Sequence, residues 1–379
     1  MKAAIAIDSF KGSLSSLSAG KAAEEGIRAV YPDADIRVFP IADGGEGTVD
    51  AIVYARGGEM QKVLVHGPRG RMTEAIYGKI GNIAVIEMAS ASGITLITEA
   101  ERDPMQTTTY GVGEMIEDAI EKGCREFLIG IGGSATNDGG VGMLQALGFA
   151  FVDQNGFPIS HGAKGLKTLA KIETKDVLPA LAECRFSVAC DVKNPLCGAN
   201  GCSTVFGPQK GATAETIPQM DAWLAHYAEL TRTINPDADP NREGCGAAGG
   251  LGFAFLSYLH AELRSGIEIV MEASKLETAI ADADIVITGE GRLDGGSCMG
   301  KVPVGVATLA KKHGKPVIAV AGSIADDASH THAYGIDAFF PIVQAPCSLS
   351  DAMNDANAYR NLKRTAEEIF RLWKMISPT

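Results

Sequence analysis

Short, continuous runs of apolar residues recur along the chain, and each is closed by Gly, Asp or Pro. They lie at residues 3–7 (AAIAI), 36–41 (IRVFPI), 127–131 (FLIGI), 284–288 (DIVIT) and 316–322 (PVIAVAG). Their residues do not alternate between apolar and polar, which is typical of strands covered by helices on both faces. Helical patterns over residues 17–31, 113–122 and 304–313 separate several of these runs. This alternation predicts an α/β fold with a parallel sheet.

The middle of the chain has a different pattern. Between residues 60 and 97, strand-like segments are broken by GPRGR at 67–71 and GKIGN at 78–82. Residues 149–159 form a similar segment around Asn155-Gly156. Breaks of this kind, rich in Gly and Asn, are typical of antiparallel hairpins.

The length of the chain indicates two domains, because 379 residues exceed the usual size of one hydrophobic core. The simplest arrangement is a discontinuous Rossmann-like domain with a parallel sheet, formed by residues 1–60 and 278–379. A second, mixed α/β domain would be inserted at residues 61–277. We expect the active site in the cleft between the two domains.

The composition excludes several classes of protein. Hydrophobic residues make up 46% of the chain and its formal net charge is −12, which predicts a folded protein that attracts neither nucleic acid nor an anionic membrane. The first residues, MKAAIAID, are too short an apolar segment for a signal peptide, and no apolar run approaches the roughly 20 residues of a membrane span. Eight cysteines without a Cys-x-x-Cys pair are typical of reduced thiols. We therefore expect a cytoplasmic protein.

Polar segments follow several of the predicted strands, and ligands bind at the carboxyl ends of strands in open α/β sheets. The first segment contains Asp8, Lys11 and Ser13. Asp8 could hold Mg²⁺ or a hydroxyl group, and the other two could contact an anion at the start of the next helix. A simple turn with a helix-capping serine explains the segment equally well.

A second segment contains Asp43, Gly44, Gly45 and Glu46. Three glycines within residues 44–47 exceed the needs of an ordinary turn. Glycine lets the backbone approach a ligand closely, and carboxylates can bind hydroxyl groups or a metal ion. The composition of this segment favours a binding function.

The third segment is a glycine-rich loop, GIGGSATNDGG at residues 130–140, between a predicted strand and a predicted helix. Converging backbone N–H groups and the positive end of a helix dipole suit a phosphate group. Ser134, Thr136 and Asn137 add neutral hydrogen-bond donors. The loop therefore predicts a phosphate site.

The same loop also suggests a different class of enzyme. Gly130, Gly132 and Ala135 match a dinucleotide-binding fingerprint, and Asp153 lies about twenty residues further on, where a ribose-binding acid belongs. Two features disfavour this match: polar residues stand where the helix should have begun, and Asp153 falls in a predicted hairpin turn. An NAD(P)-dependent hydroxy-acid oxidoreductase is therefore the weaker alternative.

Two further segments combine acids with bases. Asp191, Lys193 and Asn194 follow a predicted strand, RFSVAC at residues 185–190, and they could supply a base and a phosphate contact. An Asn-Pro turn is the alternative. Residues 288–301 carry Glu290, Arg292, Asp294 and Lys301. Their Gly-x4-Gly-Lys pattern is not a P-loop, because Val302 stands where a Mg²⁺-binding Ser or Thr belongs.

Together, these segments resemble the type-1 glycerate kinases. The matching motifs are IDSFKGS (7–13), FPIADGGEGT (39–48), GIGGSATNDGG (130–140), CDVKNPL (190–196), VFGPQKGA (205–212), GCGAAGGLGFA (244–254) and TGEGRLD with a following GK (288–301). They occur in one order over nearly the whole chain. In one departure, Gly296 stands where the family commonly has Gln.

The resemblance implies transfer of the γ-phosphoryl group of ATP to D-glycerate, with Mg²⁺, on a two-domain α/β fold. It implies 2-phosphoglycerate as the product, and phosphorylation at C3 is the alternative. A binding protein of the periplasmic type is a third class, but such proteins normally carry a signal peptide.

The resemblance and the needs of phosphoryl transfer, which are positioning and charge stabilisation, also imply roles for single residues. Asp191 is expected to accept the proton of the substrate hydroxyl, and Lys11 and Lys193 to neutralise the transferring group or hold the carboxylate of glycerate. The candidates for Mg²⁺ are Asp8, Asp43 and Glu290. The other expected substrate- and phosphate-binding residues are Ser9, Ser13, Gly44, Gly45, Glu46, Gly132, Gly133, Ser134, Thr136, Asn137, Asp138, Asn194, Arg292, Asp294 and Lys301.

Overall fold

The structure is a computed structural model and describes residues 1–376. Within them, the strands are β1 (Lys2–Ile7), β2 (Asp35–Val38), β3 (Glu59–His66), β4 (Met72–Ile80), β5 (Ile83–Glu87), β6 (Glu126–Gly130), β7 (Ala150–Val152), β8 (Lys171–Glu173), β9 (Arg185–Ala189), β10 (Glu262–Arg264), β11 (Ile285–Leu293), β12 (Val317–Ile324) and β13 (Ala338–Pro341). The α-helices are α1 (Ser16–Val30), α2 (Thr48–Arg56), α3 (Ala89–Ser92), α4 (Tyr110–Glu121), α5 (Val141–Ala146), α6 (Cys202–Phe206), α7 (Thr216–Thr231), α8 (Leu251–Tyr258), α9 (Gly266–Ser274), α10 (Leu276–Asp282), α11 (Val302–Lys312), α12 (Leu349–Met353) and α13 (Asp355–Ile376). None of these helices is long and apolar enough to cross a membrane.

The chain forms two compact units. Unit 1 contains Met1–Asp43, Asp50–Arg56 and the chain from Val270 onwards, and unit 2 contains Gly44–Val49 and Gly57–Ile269. The structure thus assigns the short segment Gly44–Val49 to unit 2, whereas the sequence groups it with residues 1–60.

Unit 1 is built on a five-stranded sheet. Its order is β13–β12–β11–β1–β2, and every neighbouring pair is parallel. The predicted Rossmann-like parallel sheet is therefore confirmed.

Both faces of this sheet are buried, which explains the continuous apolar runs. Along β1, Ala3, Ile5 and Ile7 belong to the core that includes residues of α1 and α13. Their neighbours Ala4 and Ala6 point to the opposite face and are also buried. Helices α10 and α11 contact β1, and α1 packs against α13.

Unit 2 contains a six-stranded mixed sheet, in the order β10–β9–β6–β5–β4–β3. The pairs β3–β4 and β4–β5 are antiparallel, which confirms the predicted hairpins. The pairs among β5, β6, β9 and β10 are parallel. The inserted unit is therefore a mixed α/β structure, as the sequence predicts.

Unit 2 also contains a separate two-stranded sheet, in which β7 and β8 pair antiparallel. The turn after β7 is closed by Asp153, whose Oδ1 accepts hydrogen bonds from the N–H groups of Asn155 (2.8 Å) and Phe157 (3.0 Å). Because these bonds engage the Asp153 carboxylate in a local turn, the residue is not a ribose-binding acid at the end of a parallel strand. The dinucleotide fingerprint does not have its expected structural context.

Candidate active site

In unit 1, a cavity of 720 Å³ opens at the carboxyl ends of the central strands. Asp8 follows β1, Glu290 lies near the end of β11, and Ser323 lies near the end of β12; all three line the cavity. The sheet extends from β1 to β2 in one direction and from β11 to β12 and β13 in the other. Such a reversal of strand order is the usual ligand site of an open α/β sheet.

Asp8 stands at the centre of this edge. Its Oδ1 accepts a hydrogen bond of 2.7 Å from the backbone N–H of Ser9. Burial raises the pKa of Asp8 to about 6, and the negative charges of Asp43 and Glu290 add to this, while the bond from Ser9 and the charge of Lys11 oppose it. A carboxylate kept close to other acids in this way is stabilised by a cation.

Glu290 is buried, with 6% of its surface exposed. Its Oε1 accepts a short hydrogen bond from Ser297 Oγ, and its Oε2 lies 3.7 Å from Lys301 Nζ. Burial raises the pKa of Glu290, whereas the contacts with Ser297 and Lys301 lower it. Lys301 Nζ also lies 3.6 Å from Asp294 Oδ1, and Arg292 Nε lies 3.6 Å from Asp294 Oδ2. These acids and bases alternate along one wall of the cavity.

The segment after β1 contributes two more expected residues. Lys11 Nζ lies 3.8 Å from Asp43 Oδ2, and 81% of the Lys11 side chain is exposed. Ser13 Oγ is buried and has no hydrogen-bond partner within residues 1–376. Ser15, not Ser13, caps α1, since its side chain accepts from the N–H of Ser18. The helix-capping alternative for Ser13 is therefore wrong, and its hydroxyl faces the cavity.

In unit 2, glycines allow backbone segments to meet at the carboxyl ends of β6 and β9. Gly44 has φ of +86°, and a Cβ there would come within 2.5 Å of Ala189 Cβ. A Cβ at Gly130 would lie 2.3 Å from the carbonyl oxygen of Gly44. The end of this turn is fixed by the N–H of Val49, which donates to Glu87 Oε1 over 2.9 Å. Glu87, at the end of β5, has a positioning role that the sequence did not reveal.

The glycine-rich loop at residues 130–140 exposes only Gly132 and Gly133. Thr136, Asn137 and Asp138 have no exposed surface. The side chains of these three residues therefore support the loop from inside the unit. The backbone at the two exposed glycines is the part of the loop that a phosphate can reach directly.

Asp138 holds the loop to the neighbouring helices. Its Oδ2 accepts from the N–H of Thr109 (2.8 Å) and from Thr109 Oγ1 (2.9 Å), and its Oδ1 accepts from the N–H of Gly140 (3.2 Å). Burial raises the pKa of Asp138, and these hydrogen bonds oppose the rise. The carboxylate lies at the beginning of α5, where the helix dipole favours a negative charge.

Lys210 is a site residue to which the sequence analysis gave no role. It is 2% exposed, and its Nζ donates to Ser134 Oγ (2.8 Å) and to the carbonyl oxygen of Thr136 (2.6 Å). Burial lowers the pKa of Lys210 to about 8, against the influence of Cys202 and Asp138. The motif VFGPQKGA contains this lysine, but a Gly-Pro-rich turn is more typical of an exposed side chain.

Asp191 lies just beyond β9 and is exposed. The N–H of Gly266 donates to Asp191 Oδ1 over 3.3 Å, and the Cα of Gly266 lies 3.1 Å from the position of a Cβ on Gly44. The exposed Lys193 Nζ lies 3.5 Å from Glu243 Oε2. Asp191 and the Gly44 turn are therefore close neighbours.

Three further expected residues of unit 2 lie at the surface or near it. Glu46 is exposed within the glycine turn, and Gly45 and Asn194 are half-buried. Asn194 Nδ2 donates to the carbonyl oxygen of Asn200 over 2.9 Å, which ties the segment after Asp191 into a loop.

Charged cavities and glycine-rich turns at the carboxyl ends of parallel strands are typical of α/β enzymes that bind small phosphorylated molecules. The chain belongs to one family of such enzymes, the glycerate kinase family, whose model matches residues 3–374. The resemblance seen in the sequence motifs is thereby confirmed.

Individual relatives support this assignment over nearly the full length. The chain is 47% identical over 371 residues to a glycerate kinase of Bacillus subtilis (strain 168) and 48% identical over 371 residues to a glycerate 2-kinase of Escherichia coli (strain K12). Each alignment covers 97% of both proteins. A crystal structure of glycerate kinase 2 from Salmonella typhimurium LT2 is similar with a TM-score of 0.90 and 47% identity, over 99% of this chain and 98% of that one.

Proposed function

We propose that this protein transfers the γ-phosphoryl group of ATP to D-glycerate and forms 2-phosphoglycerate. The observation that carries the proposal is the 48% identity, over 97% of both chains, to a protein named glycerate 2-kinase. The alternating acids and bases of the unit 1 cavity support it, since phosphoryl transfer depends on charge stabilisation.

In the proposed reaction, the C2 oxygen of glycerate forms a bond to the γ-phosphorus, and the bond from that phosphorus to the leaving oxygen of ADP breaks. The hydroxyl proton passes to the carboxylate of Asp191, which the N–H of Gly266 orients. Lys11 and Lys193 are proposed to neutralise phosphate charge or to hold the glycerate carboxylate. Gly132 and Gly133 supply backbone for a phosphate contact.

Mg²⁺ is proposed as the cofactor and would supply charge neutralisation on the phosphates. Asp8 and Glu290 are its proposed holders, with Asp43 as a further candidate. Asp294 Oδ1, in the same cavity, is buried without a hydrogen-bond partner in the described part of the chain. Residues 1–376 contain no cluster of three His, Cys, Asp or Glu residues fit for a metal ion. This agrees with Mg²⁺, which is commonly held by one or two carboxylates together with substrate phosphates.

A cytoplasmic location is also proposed. Its support is that all eight cysteines, which lie within residues 1–376, are free thiols. Reduced cysteines are typical of the cytosol.

A coupled assay for ADP tests the function. Purified protein with Mg-ATP is given D-glycerate, L-glycerate, lactate and tartrate in parallel, and the product is examined by ³¹P and ¹H NMR. We expect ADP release with D-glycerate and a phosphate on C2. 3-Phosphoglycerate as the product would refute the position of transfer, and the absence of ADP release with D-glycerate would refute the activity. Reduction of NAD(P)⁺ by these hydroxy acids would instead support the oxidoreductase.

A further inference from the structure

The cavity of unit 1 has a second wall that differs from the charged one. It is lined by the apolar side chains Phe10, Ile342, Val343, Leu349 and Met353. Leu349 is 75% exposed and Met353 is 37% exposed. Large apolar side chains this exposed at the edge of a cavity mark a surface that a ligand covers.

This apolar wall is held close to the segment that carries Lys11. A Cβ on Gly12 would lie only 2.8 Å from Met353 Cε, so α12 rests against the turn after β1. Ser348 caps the start of helix α12, since its hydroxyl accepts from the N–H of Asp351 over 3.1 Å. The apolar wall and the charged wall are therefore parts of one cavity, not two separate surfaces.

Glycerate does not match a cavity of this composition. Each of its three carbons carries an oxygen, so it would leave the apolar wall exposed to water. A volume of 720 Å³ is also in the range of roughly 300–1,000 Å³ that larger organic ligands occupy. An occupant that combines an apolar part with a strongly charged part would match both walls.

We propose that this cavity is the nucleotide site, with the adenine base on the apolar wall, against the exposed side chains of Leu349 and Met353. The phosphates extend towards Lys301 and Arg292. This inference rests on the proposed kinase function and assigns the nucleotide to unit 1.

Three features of the cavity support that orientation. It lies where the strand order reverses between β1 and β11, which is where nucleotides bind in doubly wound sheets. Ser13 Oγ and Asp294 Oδ1 line it as buried polar atoms that have no hydrogen-bond partner within residues 1–376. A phosphate oxygen would accept a hydrogen bond from the Ser13 hydroxyl. A ribose hydroxyl or Mg²⁺ would satisfy Asp294 Oδ1, which also lies 3.6 Å from Lys301 Nζ.

Cys347 provides a direct test, because it is exposed and lines the cavity. The wild-type protein is treated with iodoacetamide alone, with ADP, with pyrophosphate or with D-glycerate, and the rate of Cys347 alkylation is read by peptide mass spectrometry. Cys184, in unit 2, is the internal reference. We expect ADP to slow alkylation of Cys347 several-fold, and pyrophosphate and D-glycerate to leave it unchanged, since neither has a base to cover the apolar wall.

The variant Met353→Ala tests the contact with the base. Removal of a thioether that packs on an aromatic ring should weaken ADP binding about tenfold and leave pyrophosphate binding unchanged, as measured by calorimetry. Leu372→Ala is the matched control, because Leu372 is an exposed apolar residue of unit 1 outside the cavity. It should leave both affinities unchanged.

The outcomes separate this inference from the proposed function. Protection of Cys347 by D-glycerate and not by ADP would overturn the nucleotide assignment. Full ADP binding without protection, or equal weakening of ADP and pyrophosphate in Met353→Ala, would overturn it too, although kinase activity in the coupled assay would still stand. A wild-type protein that binds no ADP and releases none from ATP would overturn both.

Discussion

Replacement of Lys210 by Met tests how the glycine-rich loop is supported. Lys210 is a buried cation that contacts Ser134 Oγ and the carbonyl oxygen of Thr136. Burial lowers the pKa of Lys210, and nearby Asp138 opposes this shift. Since burial lowers the pKa of this lysine, the folded protein holds the charged amine less strongly than the unfolded chain does.

The magnitude follows from the two pKa values of Lys210. A fall from 10.5 in the unfolded chain to about 8 in the folded protein corresponds to about 3 kcal/mol of stability lost at low pH. Below pH 8 both states bind the proton, and the loss is nearly complete. Between about pH 8 and 10.5 the unfolded chain binds more protons, so stability rises with pH. From pH 7 to 9, the wild type should gain about 1.4 kcal/mol relative to Lys210→Met.

The assay is urea unfolding followed by tryptophan fluorescence at pH 7, 8 and 9. The chain has two tryptophans. Trp223 packs against the core of unit 2 and Trp373 against the core of unit 1. In a Trp373→Phe background, the remaining fluorescence therefore reports on the unit that contains Lys210.

The test depends on how the difference in the free energy of unfolding between the wild type and Lys210→Met changes with pH. Lys210→Met also leaves the Thr136 carbonyl and the Ser134 hydroxyl without a donor, which costs about 1–3 kcal/mol per buried group at every pH. Lys167→Met, at an exposed lysine of the same unit, is the matched control and should follow the wild type. A difference between wild type and Lys210→Met that stays constant from pH 7 to 9 would show that Lys210 titrates as an ordinary lysine and refute the reasoning.

Three other perturbations have definite expected results. The raised pKa of Asp8, about 6, predicts that kcat/KM falls with decreasing pH below about pH 6 if its carboxylate binds Mg²⁺; a decline that begins only near pH 4 in the pH–rate profile would contradict this. Asp191→Asn should lower kcat about 10²–10⁴-fold with the calorimetric affinity for ADP unchanged, and a wild-type kcat would exclude Asp191 as the base. Gly249→Ala should destabilise unit 2 by about 3 kcal/mol, because φ is +67° and the new Cβ would lie 2.1 Å from the carbonyl oxygen of Thr136. Gly156→Ala, also at positive φ but with open space around it, should cost only about 1 kcal/mol in the same urea assay.

The local pattern of the sequence was sufficient to find β1, β2, β11 and β12 in unit 1, but not the edge strand β13. Residues 3–7 and 284–288 are apolar on both faces because β1 and β11 are covered on both faces, and this property is visible in a single strand. The pairing of β1 with β11 is not visible in the local pattern, since it joins residues that are distant in the chain, such as Ala3 and Ile285. The sequence could place Asp8 and Glu290 at strand ends but could not establish that the two strands are neighbours.

In the candidate site too, the local sequence did not reveal how side chains pack in the folded protein. Gly132 and Gly133 were expected to contact phosphate and Asp191 to act as the base, and all three are exposed. Thr136 and Asn137 were expected as ligand donors and are buried. Polar residues in a glycine-rich loop can face a ligand or the interior, and only the packing of the rest of the unit decides which.

The buried polar residues behind the loop explain how a segment so rich in glycine can be a binding site. Glycine gives the backbone freedom that would cost entropy each time a phosphate bound. Here the Lys210 ammonium fixes Ser134 and Thr136, and the Asp138 carboxylate fixes Gly140. Buried hydrogen bonds of this kind have no water to replace a lost partner, so breaking one is costly and the loop stays in one conformation. Ser134, Thr136 and Asp138, which the sequence suggested as ligand contacts, thus take part in holding the exposed glycines in place before a ligand arrives.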